Sequence, residues 1–226
     1  MSDLLHKFQL QTCKPVRTPS ATQTALSLTG CELLVDFSHY HSMVRALHNL
    51  TMTHPDITHA MHVVSQFMHA PCTTHLHTVK RIFHYLHGTL AHGMWVQPSA
   101  ASPSLVIAYF DAHWACCKDS CRSTTGYAVF RGPHLIAWHS KKQPTISIEA
   151  EYKAIGYTIA VGKLLYDLGN SPLAPVHLYC DNLNATYMSA NPMQHDRSKH
   201  IALDYHFVRK RVADGDLVIR YIPTRL

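Results

Sequence analysis

The second half of the sequence predicts an α/β fold in which helices flank a mixed five-stranded sheet. Three observations lead to this fold class. Short runs rich in β-branched and aromatic residues recur after Pro103, two of these runs are joined by the tight turn Arg131-Gly132-Pro133, and a long helical segment separates the third run from the fourth. A hairpin followed by a β-α-β unit combines antiparallel and parallel pairs, so the sheet is expected to be mixed.

The elements of this second half follow from hydrophobic period and turn signals. Strands are predicted at residues 104–110, 126–130, 134–138, 176–180 and 217–222, and helices at 149–168, 183–190 and 199–213. The turn Asp214-Gly215-Asp216 separates the last helix from the last strand. We assign residues 104–226 to one domain on this basis.

The first half predicts helices and no sheet. Pro55 suits the first turn of a helix that ends before Pro71, and a second helix follows at residues 74–86. We assign residues 54–103 to a small helical connection region. Residues 1–53 form a loop-rich lead-in, with two prolines between residues 14 and 19 and a short helix at 39–50.

Composition limits the class of protein. With 46% apolar residues the chain can form packed cores, and its formal charge of +6 weakly favours an anionic partner such as nucleic acid. No run approaches the roughly 20 apolar residues of a membrane helix, so no membrane partner is expected. The polar start predicts no secretory segment. We therefore expect an intracellular protein whose seven cysteines are reduced.

Histidines are abundant, 20 in all, and two interpretations of them stay open. His113, Cys116, Cys117 and Cys121 could form a zinc site, although adjacent cysteines rarely fit one tetrahedral ion; otherwise they are ordinary residues. On the second helix the set Lys80, Arg81 and His84 either contacts a phosphate backbone or forms a solvated face.

Three acidic residues occupy positions where a metal site can form. Asp111 and Asp181 each end a predicted strand, and Glu151 lies in the first turn of the long helix. Converging carboxylates repel one another unless cations neutralise them, and magnesium prefers such oxygen ligands. Two ions about 4 Å apart support phosphodiester hydrolysis. The alternative is that these acids only form turns and favour helix starts.

The motifs in these positions resemble the C-terminal part of the copia-type LTR retrotransposon Pol polyprotein, with plant elements the most similar. The ribonuclease H part is carried by residues 110–115 (FDAHWA), 122–127 (RSTTGY), 140–145 (SKKQPT), 149–154 (EAEYKA), 178–182 (LYCDN), 199–201 (KHI) and 204–209 (DYHFVR). Residues 3–8 (DLLHKF), 13–19 (CKPVRTP), 53–57 (THPDI) and 64–68 (VSQFM) are similar to the tail of the reverse transcriptase and its connection.

This resemblance implies a ribonuclease H-like fold and metal-dependent endonucleolytic hydrolysis of the RNA strand in RNA/DNA hybrids. Catalytic and metal-binding roles would fall on Asp111, Glu151 and Asp181, with Mg²⁺ or Mn²⁺ as a two-ion cofactor, and we prefer Glu151 to Glu149. Lys199 and His200 would lie near the nucleic-acid backbone. The family also implies an upstream reverse transcriptase partner and a cytoplasmic virus-like particle.

The sequence departs from the family pattern in ways that predict reduced or lost activity. The polymerase aspartates are missing, and the chain ends before the family's helix that supplies a fourth acid. About three residues are missing before Glu149, and about five between Ala160 and Val161, which would turn the rest of that helix by about 140°. His113 and Ala202 replace acids. The alternative function is a non-catalytic nucleic-acid-binding remnant of a decayed retrotransposon.

Overall fold

A computed structural model describes residues 1–21, 26–27, 31–94, 96, 105–113, 120, 122–143, 149–169, 174–183, 186 and 202–223, with the backbone alone for residues 113, 149–154 and 202–207. The chain divides into two compact units, one built mainly from residues 1–94 and one that contains the sheet. The first is called the N-terminal unit and the second the C-terminal unit.

The N-terminal unit is helical. Its elements are α1 (Ser2–Lys7), α2 (Ser38–Leu50), a 3₁₀ turn (Pro55–Ile57) that leads into α3 (Thr58–Ser65), and α4 (Thr73–Gly88). One apolar core joins all of them, and its largest fully buried members are Tyr40, Phe83, Met43, Leu47, Ile57, Ile82 and Leu86. Leu5 and Phe8 reach the same core, which explains why the six-residue α1 is stable in this context.

The lead-in runs along α4. The Val16 N–H donates to the His84 carbonyl at 3.4 Å, and the Arg81 guanidinium donates to Thr18 Oγ1 at 2.9 Å. Gly88 permits this close approach, because a Cβ at that position would lie 2.9 Å from the Pro15 Cβ. Residues 15–18 therefore partly cover the polar side of α4. The sequence alone had left two interpretations of that side, a phosphate contact or a solvated face.

The expectation of reduced cysteines is wrong for one pair. Cys31 and Cys72 form a disulfide across a sequence separation of 41 residues. Among the described residues, Cys13 and Cys180 are free thiols. The sequence-based expectation rested on cellular compartment, and it could not anticipate that folding brings these two side chains together.

The C-terminal unit contains the predicted mixed five-stranded sheet. Its strands are β1 (Val106–His113), β2 (Thr124–Arg131), β3 (His134–Lys142), β4 (Val176–Cys180) and β5 (Leu217–Tyr221), in the spatial order β3-β2-β1-β4-β5. The first three strands pair antiparallel, and β4 and β5 run parallel to β1. This arrangement confirms the predicted fold class.

In the described part of this unit, α5 (Glu149–Asp167) and α6 (Ala202–Ala213) accompany the sheet. Alternate residues of β1 and β4 are buried, as expected for strands with one face on a core. The helices complete that core with Ile155 from α5 and Val208 from α6, both 0% exposed. The predicted helix at residues 183–190 lies largely outside the described residues.

Strand bounds differ from the prediction at one edge of the sheet. β1 continues to His113 and β3 continues to Lys142, three and four residues beyond the predicted ends. Thr124 at the start of β2 pairs with both of these terminal residues. The ladder therefore extends through polar residues that carry no hydrophobic strand signal.

Helix α5 is continuous through Ala160 and Val161, where the sequence comparison predicted missing residues. Its sheet-facing side includes Ile159 and Leu165, which pack against the core. Beyond that point several large apolar side chains face solvent, namely Leu164 at 57%, Tyr166 at 66% and Leu168 at 65% exposure. Apolar residues on the outer side are expected if the end of the helix is turned out of its original register.

None of the helices in the described part of the chain combines the length and apolar character that a membrane crossing requires.

Candidate functional site

Asp111 and Asp181 meet at one edge of the sheet. β1 and β4 are parallel neighbours, and Phe110 pairs in register with Cys180. Asp111 follows Phe110 within β1, and Asp181 follows Cys180 just after the end of β4, so the two aspartates lie near each other where these neighbouring strands, about 4.8 Å apart, run side by side. Both are exposed. We call this feature the acidic edge.

Buried neighbours hold the acidic edge in place. Phe110 is 4% exposed and Cys180 is 1% exposed, so both strand ends are anchored in the core. The backbone after β4 is fixed further, because the Asn182 N–H donates to Cys180 Sγ at 3.2 Å and the Ile222 N–H donates to the Cys180 carbonyl at 2.8 Å. The position of Asp181 is therefore set by packing and hydrogen bonds on both sides.

The third predicted acid, Glu151, lies in a helix that begins near the same edge. β3 runs in the same direction as β1, so Lys142 ends β3 beside the end of β1, and only residues 143–148 separate it from α5. Ile155, one helical turn after Glu151, is fully buried against the sheet. Topology thus brings the first turn of α5 towards the acidic edge, while the Glu151 side chain lies outside the described residues.

Basic residues that were not predicted as site residues lie at the same edge. Lys141 and Lys142 end β3, and Arg122 stands just before β2. All three residues belong to the family-like motifs, but only the strand directions reveal that they share an edge with Asp111 and Asp181. An arrangement of carboxylates flanked by cations suits a metal-bound phosphate backbone.

A group of aromatic rings packs between α5 and the sheet. Tyr127 of β2 stacks on Tyr157 of α5 at a centroid distance of 5.6 Å, and His139 of β3 lies 5.9 Å from Tyr127. Burial lowers the pKa of His139, and the Lys141 charge adds to this shift. Burial, with a smaller effect of Tyr157, raises the pKa of Tyr127. Both pKa shifts favour the neutral form of the side chain.

Other predicted ligands fall outside what the structure describes. Lys199 and His200 lie outside the described residues, so their placement near a substrate stays a prediction. The same holds for the zinc interpretation, since Cys116, Cys117 and Cys121 are also outside the described residues and only the backbone of His113 is described.

Comparison with known proteins identifies relatives along nearly the whole chain. The chain is 43% identical over 229 residues to the "Retrovirus-related Pol polyprotein from transposon RE1" of Arabidopsis thaliana and 41% identical to that from transposon RE2. Each match covers 98% of this chain but 16% of the relative. The chain thus spans about one sixth of the length of these relatives. No protein-family model matches it.

One solved structure, a viral reverse transcriptase, supports the fold. A foamy viral protease-reverse transcriptase in complex with an RNA/DNA hybrid is similar over 100% of this chain and 27% of that chain, with a TM-score of 0.53 at 11% identity. LC11-RNase H1 in complex with an RNA/DNA hybrid is similar over 52% of this chain and 85% of that chain, with a TM-score of 0.41 at 13% identity.

The motif resemblance is confirmed by these relatives, and the sheet order is that of a ribonuclease H-like fold. The chain belongs to the family of retrovirus-related Pol polyproteins from plant transposons, and its C-terminal unit has the ribonuclease H-like mixed five-stranded sheet.

Proposed function

We propose that Asp111, Glu151 and Asp181 form the metal-binding and catalytic site of a ribonuclease H-like domain that hydrolyses the RNA strand of RNA/DNA hybrids, with activity reduced or lost in this chain. The observation that supports this site most directly is the register of β1 and β4, in which Phe110 pairs with Cys180 and each of these residues is followed by an aspartate. Carboxylate oxygens at adjacent strand ends are the donors that Mg²⁺ and Mn²⁺ prefer.

The role of each group follows from its chemistry. The three carboxylates would hold two divalent ions, which supply an activated water and stabilise the leaving oxygen of the cleaved phosphodiester. Lys141, Lys142 and Arg122 would attract the phosphate backbone towards the acidic edge. Lys199 and His200 would contact the same backbone. In the intact polyprotein the partner is the upstream reverse transcriptase, and the location is an intracellular virus-like particle.

We include reduced activity in the proposal because one departure from the family sequence pattern lies close to the acidic edge. His113 ends β1 two residues after Asp111, at a position where the family resemblance implies an acid. A histidine there removes one negative charge from the neighbourhood of the metal ligands, which weakens cation binding.

The test is cleavage of a labelled RNA/DNA hybrid by the purified chain, with Mg²⁺ or Mn²⁺ and with EDTA. The corresponding segment of the RE1 polyprotein serves as a benchmark. We expect metal-dependent cutting that is slower than that of the benchmark or absent. Cutting as fast as the benchmark and abolished by Asp111→Asn would refute the loss of activity.

Metal binding is measured separately from catalysis. Mn²⁺ titration followed by electron paramagnetic resonance should show weaker binding in Asp111→Asn and Asp181→Asn. Asp167→Asn is the matched control, because Asp167 is an exposed acid at the far end of α5. Equal Mn²⁺ binding by the wild-type chain and all three variants would rule out a metal site at the acidic edge.

A second candidate function is non-catalytic binding of nucleic acid. The cations at the end of β3, Lys141 and Lys142, favour it because phosphate attraction does not depend on the acids. Hybrid binding that weakens steeply with salt, is unchanged by Asp111→Asn and is weakened by Lys141→Gln would support it. Binding that is insensitive to salt would exclude it.

A further inference from the structure

We propose that Gly126 is a specificity-determining residue of the acidic edge, because its missing side chain leaves a slot that admits the phosphate group of a nucleic-acid strand. The slot lies on the surface of the sheet, between Asp111 of β1 and Lys142 of β3, and is called the phosphate slot. The role given to Gly126 rests on the function proposed for the acidic edge and names the part of β2 that the substrate backbone would cross.

The strand register places Gly126 beside Asp111. The two residues pair directly in the antiparallel ladder of β1 and β2, and Gly126 pairs on its other side with Ser140 of β3. Residues that pair across neighbouring strands project from the same face of a sheet. Asp111, Gly126 and Ser140 therefore form one row, and the middle position of this row has no side chain.

This row lies on the face of the sheet that is turned away from the core. Phe110, which precedes Asp111, and Tyr127, which follows Gly126, both pack in the core shared with α5 and α6. Successive side chains of a strand alternate between the two faces, so Asp111 and Gly126 face the other way. Tyr109 shares that face and is 43% exposed, although β1 is the central strand. A substrate can therefore reach this face.

Packing gives no reason for glycine at position 126. A Cβ built there would meet one described atom within 4 Å, the His139 carbonyl oxygen at 3.8 Å, which is an ordinary van der Waals contact. Among the described glycines, positive φ angles occur at Gly132, Gly169 and Gly215 and not at Gly126. Glycine weakens a strand interior and often marks a place where a ligand comes close. The fold alone would thus favour a larger residue here.

Charges on the two sides of the slot suit a phosphate group. Asp111 would hold a divalent ion on one side. Lys142, two residues after Ser140 on the same face of β3, supplies a positive charge on the other. β1 and β3 are two strand spacings, or about 9.6 Å, apart. A phosphate group over Gly126 would thus have a metal ligand on one side and an ammonium group on the other.

A side chain at position 126 would fill the slot in proportion to its size. Alanine adds one carbon atom over β2, and valine adds three. Strands favour β-branched residues over glycine, so valine should not destabilise the sheet. The phosphate slot therefore predicts a graded loss of affinity for nucleic acid without loss of stability, whereas damage to the fold would lower both.

The experiment measures hybrid binding, metal binding and stability of the full chain. A fluorescent RNA/DNA hybrid is titrated in Ca²⁺ and followed by anisotropy, and a gel checks that the RNA strand stays intact. We expect Gly126→Val to weaken hybrid binding about 10- to 100-fold, the effect of losing one charge-assisted contact, and Gly126→Ala to weaken it less. Mn²⁺ binding and the melting temperature should not fall in either variant, because neither change alters a carboxylate.

Ala128→Val is the matched control, because Ala128 lies two residues further along β2 on the same face and pairs with Tyr109 instead of Asp111. It should keep the wild-type affinity for the hybrid. Equal hybrid binding by the wild-type chain and both Gly126 variants, or an equal loss in Ala128→Val, would overturn the role of Gly126. If Gly126→Val does not fold, Gly126→Ala alone decides.

Failure of the proposed function would be visible separately. Mn²⁺ binding that Asp111→Asn leaves unchanged would remove the metal site, and with it the role of Gly126. A wild-type chain that binds no hybrid would likewise overturn both. By contrast, normal Mn²⁺ and hybrid binding that do not respond to the size of residue 126 would refute the phosphate slot and leave the metal site standing.

Discussion

Replacing Gly162 by alanine should stabilise the C-terminal unit. Gly162 lies inside α5, where glycine costs about 1 kcal/mol relative to alanine because it has more backbone freedom to lose on folding. The new Cβ would lie 3.8 Å from Val176 Cγ2, which is an ordinary van der Waals contact and adds a few tenths of a kcal/mol at most. We therefore expect a gain of about 1 kcal/mol in the free energy of unfolding.

Substitutions at two further glycines test the same reasoning. At Gly156 of the same helix a Cβ would meet no atom within 4 Å, so Gly156→Ala should gain about as much through backbone entropy alone. Gly132 has φ of +56° in the β2–β3 turn, so Gly132→Ala should lose about 1–2 kcal/mol. The same chemical change is thus expected to have opposite signs in the helix and in the turn.

Tryptophan fluorescence in a urea titration is a suitable assay, because all three tryptophans lie at or after residue 95 and report on the C-terminal unit. A gain of 1 kcal/mol corresponds to a rise of about 3–5 °C in the melting temperature of a domain of this size. If Gly162→Ala destabilises the unit while Gly156→Ala stabilises it, α5 does not continue as a regular helix past Ala160, and the reasoning fails.

Three other predictions concern Tyr40, His139 and Leu47. Tyr40→Phe should cost about 1–2 kcal/mol, because the Tyr40 hydroxyl donates to the buried Val64 carbonyl at 2.6 Å. Burial also raises the pKa of Tyr40, so its contribution to stability is complete below pH ~10 and is lost as the pH rises further. Urea titrations at several alkaline pH values should therefore show that the unfolding free energy of Tyr40→Phe declines less with pH than that of the wild-type chain. Burial, helped by Lys141, lowers the pKa of His139, so the contribution of this residue to stability is present above pH ~6.5 and is lost as the pH falls. His139→Gln should therefore make the unfolding free energy, followed by tryptophan fluorescence, depend less on pH in this acidic range. Leu47→Ala should cost about 3 kcal/mol, measured by circular dichroism, because Leu47 is 0% exposed in the helical core.

The candidate site could be predicted from the sequence because it depends on topology. Once β1 and β4 are recognised as strands and α5 as the helix before β4, the acids at their ends fall on one edge whatever the details of packing. The flanking cations were harder to predict, since Lys142 lies in the polar extension of β3 that only the ladder with Thr124 reveals.

The Cys31–Cys72 disulfide of the N-terminal unit could not be predicted in the same way. Cys31 and Cys72 are 41 residues apart and belong to no recognisable ligand motif, and Cys31 lies in a segment that the sequence presents as loop. Their approach depends on the bridge between Leu33 and Cys72, which is a tertiary contact. The six-residue α1 was missed for a related reason, because so short a helix forms only when Leu5 is buried by distant residues.

The predicted loss of residues between Ala160 and Val161 falls in the half of α5 that lies far from the acidic edge. Ala160 lies nine residues, or about 13 Å, beyond Glu151 along the helix axis. Ile155 and Thr158, in the half of α5 nearer the acidic edge, are 0% exposed, whereas Leu164 and Tyr166 in the far half are 57% and 66% exposed. Stabilising the far half acts on folding and should not move the proposed metal ligands. Gly162→Ala should therefore raise the melting temperature without raising the rate of hybrid cleavage. If the variant raised both the melting temperature and the cleavage rate, fraying of α5, and not the histidine at position 113, would account for the proposed loss of activity.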